Sequence, residues 1–207
     1  MTAAGLERAA EVWIADYFQA RHLLRTRDWA VVFAPQASEQ LRVAALTHDI
    51  ERRVPGGPDP WQHDWGDPRY VLAHSIRSAQ LVAAWLAEQQ APPEFIADVE
   101  RLILHHEIGG YREADVLQAA DSISFLEVNA GRARQWVAEG RCGREQAQAK
   151  LDLMRDRVAV DSARPIAAEL HAAASAALAA PPHPSSLSAD GPAEGDKRRR
   201  PGVHRDP

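Results

Sequence analysis

Apolar positions recur at three- and four-residue spacing along most of the chain, and clean two-residue alternation is hard to find. The pattern predicts an all-α protein. A first helical region runs from about Gly5 to Ala34, with a break near Tyr17. Pro35 ends it, because proline lacks the N–H and clashes with the preceding turn. Ser38 is placed to cap the next helix, Glu39 to about Arg53. On that helix Leu41, Ala44, Ala45 and His48 share one face. Val54-Pro55-Gly56-Gly57 stops it, and a Pro/Gly-rich loop continues to Pro68. Further helices are expected over Arg69–Gln90, from Pro93 to about His106, over Glu113–Asn129, Arg144–Val158 and Pro165–Ala179. Gly109-Gly110 is a strong helix stop. The last helix is alanine-rich, with good propensity and little bulk to bury, so it reads as peripheral. From Pro181 onward the chain is proline, serine, glycine and charge, which predicts a disordered tail. The expected organisation is one helical domain over 1–180, its motif-bearing core at about 16–130, and a tail over 181–207.

Composition narrows the classes. The chain has 207 residues and a net charge of −5. The segment after Ala180 carries five basic and four acidic residues, so the body is more acidic still. An acidic body argues against broad binding of nucleic acid, but not against a small phosphorylated substrate in a local basic pocket. The KRRR run at 197–200 reads as part of a solvated tail. Cys142 is the single cysteine, so no disulfide within the chain and no cysteine-based zinc cluster is expected. The N-terminal stretch has no basic start followed by an apolar run, and no apolar segment approaches 18 residues; the expectation is a cytoplasmic protein without a membrane span.

The histidines change the picture most. Six of the nine lie between positions 22 and 106, and His22, His48, His74, His105 and His106 fall in expected helices among apolar neighbours. Buried imidazoles are costly unless they share partners. A metal ion supplies that partner, because it coordinates the neutral ring nitrogen. Asp49 directly follows His48, and Asp121 sits in the apolar run LQAADSISFLE; a carboxylate in such surroundings needs a counter-charge.

In chain order the set reads His22, His48-Asp49, His74, His105-His106, Asp121, carried by RHLLRTRDWA, AALTHDIERR, AHSIRSA, ILHHEIGG and AADSISF. This order resembles the HD-domain superfamily of metal-dependent phosphohydrolases. The resemblance implies an HD-type helical bundle with extra C-terminal helices. It implies that His22, His48, Asp49 and Asp121 hold a first divalent metal, with Asp49 bridging to a second held by His74 and one or both of His105 and His106. Adjacent helix residues point about 100° apart, so the two need not share a role. The metal would be Mn, Mg, Fe, Co or Ni, and the reaction hydrolysis of a phosphate ester, with nucleotides among the substrates implied. Arg25 and Arg77 lie one helical turn after ligand histidines and are candidate phosphate clamps; Arg52 and Arg53, after the His-Asp pair, could bind substrate. Glu107 is a candidate for orienting a ligand histidine or for a helix-end charge.

Departures from the family pattern carry information too. Glu51-Arg52 stands where the cyclic-dinucleotide phosphodiesterase branch usually shows Gly-Lys, and HHEIGGYRE is shorter than that branch's signature. Some binuclear members are di-iron oxygenases with a similar ligand count, which is the alternative enzyme; a third reading is a non-enzymatic metal- or nucleotide-sensing domain. The loop carrying Trp61, His63, Asp64 and Trp65 is either solvated or a substrate lid. Trp13, Trp29, Trp85 and Trp136 read as core.

Overall fold

The computed structural model describes residues 4–59, 61 and 64–180. All regular structure among them is helical, as the periodicity predicts. The helices are α1 (Ala4–Ile14), α2 (Ala20–Phe33), α3 (Glu39–Thr47), α4 (Pro68–Glu88), α5 (Pro93–His105), α6 (Arg112–Ser124), α7 (Ala130–Ala138), α8 (Arg144–Asp156) and α9 (Arg164–Ala179). A 3-10 turn, Ile50–Arg53, follows α3, and a π turn, Phe125–Asn129, joins α6 to α7. No helix among the described residues is long and apolar enough to cross a membrane.

Local signals set the ends. Ser38 Oγ accepts the Leu41 amide at 3.1 Å and starts α3. Asp67 accepts the Arg69 amide at 2.8 Å, with Pro68 as the first helical residue of α4. Gly109 takes φ +66° just past α5, and its N–H returns to the His105 carbonyl at 2.7 Å. The break near Tyr17 separates α1 from α2. The π turn and α7 lie where the sequence pattern predicts a stop at Asn129. The chain instead stays helical through Gly131, adding one residue per turn at 125–129.

Two apolar clusters form the interior. The first gathers α1 to α6 around Leu23, Leu41, Leu46, Leu86, Ile103 and Leu117. The second gathers the end of α6, the π turn and α7 to α9 around Ile123, Leu126, Leu151, Met154 and Ala167. Helix α6 serves both, with alanines 119 and 120 fully buried on opposite clusters. Helix α9 buries only Ala167 and Leu178, as its small residues predict. Trp13 and Trp85 stack in the first cluster at 4.5 Å between ring centres. The tail at 181–207 lies outside the described residues.

Candidate metal centre

Between the two apolar clusters, five helices bring their polar residues to one point. His22 comes from α2, His48 from the end of α3, His74 from α4, His106 from the end of α5 and Asp121 from α6. Asp49 opens the 3-10 turn beside His48. All six are buried, and His48, His74 and His106 are wholly inaccessible. Ring centres lie 5.6 Å apart for His22 and His48, 5.0 Å for His48 and His106, and 5.3 Å for His74 and His106.

Each imidazole is held by its Nδ1. His48 Nδ1 donates to the Ala45 carbonyl at 3.1 Å, and His106 Nδ1 donates to the Ile103 carbonyl at 2.6 Å. His74 Nδ1 donates to Glu51 Oε1 at 2.9 Å. His22 Nδ1 donates to Ser124 Oγ at 2.8 Å, while that hydroxyl donates to the His22 carbonyl, also at 2.8 Å. Carbonyls and carboxylates only accept, so the proton of each neutral ring sits on Nδ1. Nε2 is then a bare lone pair. On His48, His74 and His106 that Nε2 is buried with no hydrogen-bond partner. A buried acceptor without a donor costs about 1–3 kcal/mol, and three in one place call for a shared cation.

The spacing fits one. His22 Nε2 and His48 Nε2 lie 3.1 and 3.3 Å from Asp121 Oδ1, and His74 Nε2 lies 3.0 Å from Asp49 Oδ1. Bonds of about 2.1 Å at right angles place neighbouring ligand atoms about 3 Å apart. Three overlapping groups have ligand atoms within 4.8 Å of one another: His22, His48 and Asp121; His48, Asp49 and His106; His74, His106 and Glu107. These buried groups could hold a metal ion. The donors are imidazole nitrogen and carboxylate oxygen; Cys142 lies elsewhere, on the α7–α8 connection.

Charge is concentrated here. Burial pushes the Asp49 carboxyl up, but Arg52, His74 and His48 outweigh it and hold Asp49 well below the usual carboxylate range. Burial likewise raises Asp121, and Arg157 with His48 and His22 brings it well below that range. Burial would lower His74, yet Asp49 and Glu51 lift it to about 9, so a metal must displace a proton there. Burial takes His106 down to about 4 and keeps it neutral, the form a ligand needs.

Several neighbours carry no motif. Glu51 is 2% exposed and grips His74, and a side chain at Gly57 would overlap its carboxylate, so the loop backbone closes tightly over this pair. Arg157, at the end of α8, donates to both Glu107 and Asp121 Oδ2 and leaves Asp121 Oδ1 facing the histidines. Burial raises Glu107, and Arg157, His106 and Lys150 overcome it and bring the carboxyl to about 2. Arg157 lies 36 residues from Asp121 and 50 from Glu107, so no local spacing in the sequence marks it. The buried Glu51 reads in sequence only as one more charge after the His-Asp pair.

Other expected site residues lie apart. His105 is half-buried on the opposite side of α5's end, where its Nδ1 donates to the Gly109 carbonyl at 3.1 Å and its ring meets Tyr111 edge-on. One step of about 100° turns it away while His106 turns in. Arg25 pairs with Glu127 through two 3.0 Å contacts and covers Trp29. Arg53 donates to the Trp13 carbonyl and Asp16. Arg77 donates to the Pro55 carbonyl at 2.8 Å and holds the loop. None of Arg25, Arg53 and Arg77 lines the cleft above the cluster, whereas Arg52 does, with Nε 3.6 Å from Asp49. His63 lies outside the described residues.

That cleft has a volume of about 460 Å³, with His22, Asp49, Glu107 and Asp121 on its floor. Trp61, Trp65 and Trp136 form one wall; Trp136 packs against the second apolar cluster and also faces the cleft. Comparison with protein-family models, curated proteins and solved structures finds no match for this chain.

Proposed function

We propose that the chain is a metal-dependent phosphohydrolase of the HD-domain type. The observation that carries this reading is the convergence of three unpartnered histidine Nε2 atoms on two buried aspartates at the floor of a cleft. His22, His48 and Asp121 would hold one divalent ion, and Asp49, His74 and His106 would hold a second. The mixed N/O donor set suits Mn, Fe, Co or Ni, and Mg where oxygen ligands dominate. Such ions polarise a phosphoryl oxygen and lower the pKa of water.

The chain's own groups do the rest. The Nδ1 donors fix each ring, and Glu51 makes His74 more basic by accepting its Nδ1 proton. Arg52, with Nε 3.6 Å from Asp49, lines the cleft and donates to the Tyr70 hydroxyl at 3.3 Å, so its guanidinium is available to pair with a phosphate oxygen. Glu107, held near 2 by Arg157, is ionised at neutral pH and can accept a hydrogen bond at the cleft floor.

A phosphatase screen over nucleotides and sugar phosphates, with Mn, Mg, Co, Ni and Fe supplied separately, tests the reading. Phosphate release that chelator abolishes and Asp49→Ala loses is the expected result. Metal stoichiometry unchanged in Asp49→Ala would overturn the site. Two tightly held irons with oxygen consumption and no phosphate release would transfer the chain to the oxygenase chemistry its ligand count also allows.

A further inference from the structure

Lys150, on α8, is the only lysine among the described residues. Its ammonium lies 5.5 Å from the Trp65 ring centre and 5.3 Å from that of Phe125. No carboxylate lies within ion-pair distance of it among the described residues, although the negative field of Glu107 and Asp121 reaches it from the cleft floor. Lys150 therefore stands at the junction of the metal floor and the indole wall, both of which line one cleft.

The wall is built from distant segments. Trp65 and Trp136 stack at 5.4 Å and 26° between planes, and Trp61 meets both rings edge-on at 5.4 and 5.3 Å. Trp65 Nε1 donates to the Gln146 carbonyl of α8 at 2.9 Å, which satisfies its polar end. The loop and α7 thus present indole surface beside a cation on α8 that has no anionic partner within ion-pair distance among the described residues. Simple hydrophobic anchoring of the loop requires neither the cation nor an open cleft.

We propose that Lys150 and the tryptophan wall form a leaving-group subsite that selects anionic phosphoesters bearing a planar aromatic ring. Lys150 and Arg52, which line the same cleft, contact the phosphoryl group, and the ring lies against Trp61 and Trp136. This rests on the hydrolase reading for its biological sense, but it predicts binding that is measurable without turnover. Burial pushes the Lys150 ammonium below its ordinary value, so an arriving anion strengthens a charge that the site otherwise disfavours.

The test uses full-length protein loaded with Mn and two probes without a hydrolysable ester, methylphosphonate and phenylphosphonate, followed by calorimetry. Stacking on an aromatic side chain predicts that phenylphosphonate binds about ten-fold tighter or more. Trp61→Ala should erase that difference and leave methylphosphonate affinity intact; Trp136→Leu, less exposed to misfolding of the loop, should narrow it. Lys150→Met should weaken both probes by a similar factor of about ten, the loss of one charge-assisted contact. Equal affinities in the wild type, binding of neither probe, or a ring preference that survives both tryptophan variants would overturn the proposal. Ring preference without phosphate release from any ester would sink the hydrolase reading and leave the subsite standing; phosphate release without ring preference would do the reverse.

Discussion

Two polar clusters in this molecule pair histidine with aspartate and differ in what they leave over. On the outer face, His171 of α9 donates from Nε2 to Asp152 at 2.6 Å, and its Nδ1 faces Arg155 at 3.4 Å. Gln148 ties Asp152 at 3.0 Å to Ser175 at 2.8 Å. Both ring nitrogens have partners on the chain, and the cluster closes on itself as a clasp between α8 and α9. In the interior each Nδ1 is bound to the chain instead, and the Nε2 atoms of His48, His74 and His106 are buried with no hydrogen-bond partner. A histidine beside an aspartate is therefore not yet a metal site. The mark is the lone pair that the fold orients and leaves unsatisfied.

The comparison breaks most visibly at Arg157. It is the protein's own cation among the interior carboxylates, touching Glu107 and Asp121. Arg157→Leu leaves two buried charges without that counter-ion and should destabilise the metal-free protein by about 3–5 kcal/mol in urea unfolding. Saturating Mn should restore part of the loss, since binding to the native state adds stability. The pH dependence has a defined sign. Glu107 is held at about 2 against an ordinary 4.5, so its stabilising contribution is full above pH 4.5 and is lost as pH falls toward 2. In Arg157→Leu the folded-state value moves up from about 2, so this contribution shrinks and the acid limb between pH 4.5 and 2 flattens. An unchanged acid limb would show that Arg157 does not hold Glu107.

Adjacent residues on α5 sharpen the same point. His106→Ala should lower Mn affinity by more than about 100-fold, beyond the range for outer partners, whereas His105→Ala should leave it unchanged. Calorimetric titration of both proteins checks this, and equal losses would contradict the geometry. Glu51→Gln keeps the shape and removes the charge behind His74; the expected loss of metal affinity is about 10–100-fold. No loss would show that the carboxylate is merely buried against Gly57.

Helical class, most boundaries and the residues of the buried His/Asp cluster were readable because each is written locally: a period, a cap, a proline, a histidine on an apolar stripe. The choice between His105 and His106 was not, because a 100° difference is smaller than the uncertainty in a helix's phase around its end. Arg25, Arg53 and Arg77 lie close in sequence to the cluster histidines, but carboxylates and carbonyls brought from elsewhere in the fold claim them. Arg157, Lys150 and Glu51 could not be picked out for the converse reason. Their role arises only when α8 and the loop after the 3-10 turn fold over the floor. The α6–α7 junction was missed because a π turn lets helix continue through a glycine where pattern alone predicts an end.

The smallest effect belongs to the outer clasp, and it decides whether the comparison is sound. Asp152 is 41% exposed and His171 only 12%, so water already screens the pair and its removal costs little. His171→Ala should destabilise by about 0.5–1 kcal/mol and leave Mn stoichiometry and affinity untouched. Every donor and acceptor in the clasp can turn to solvent when the ring is gone, whereas an interior Nε2 has no solvent to turn to. If His171→Ala cost the protein a bound ion, unsatisfied lone pairs would no longer separate site from clasp, and the metal centre would have to be sought on both faces of α8.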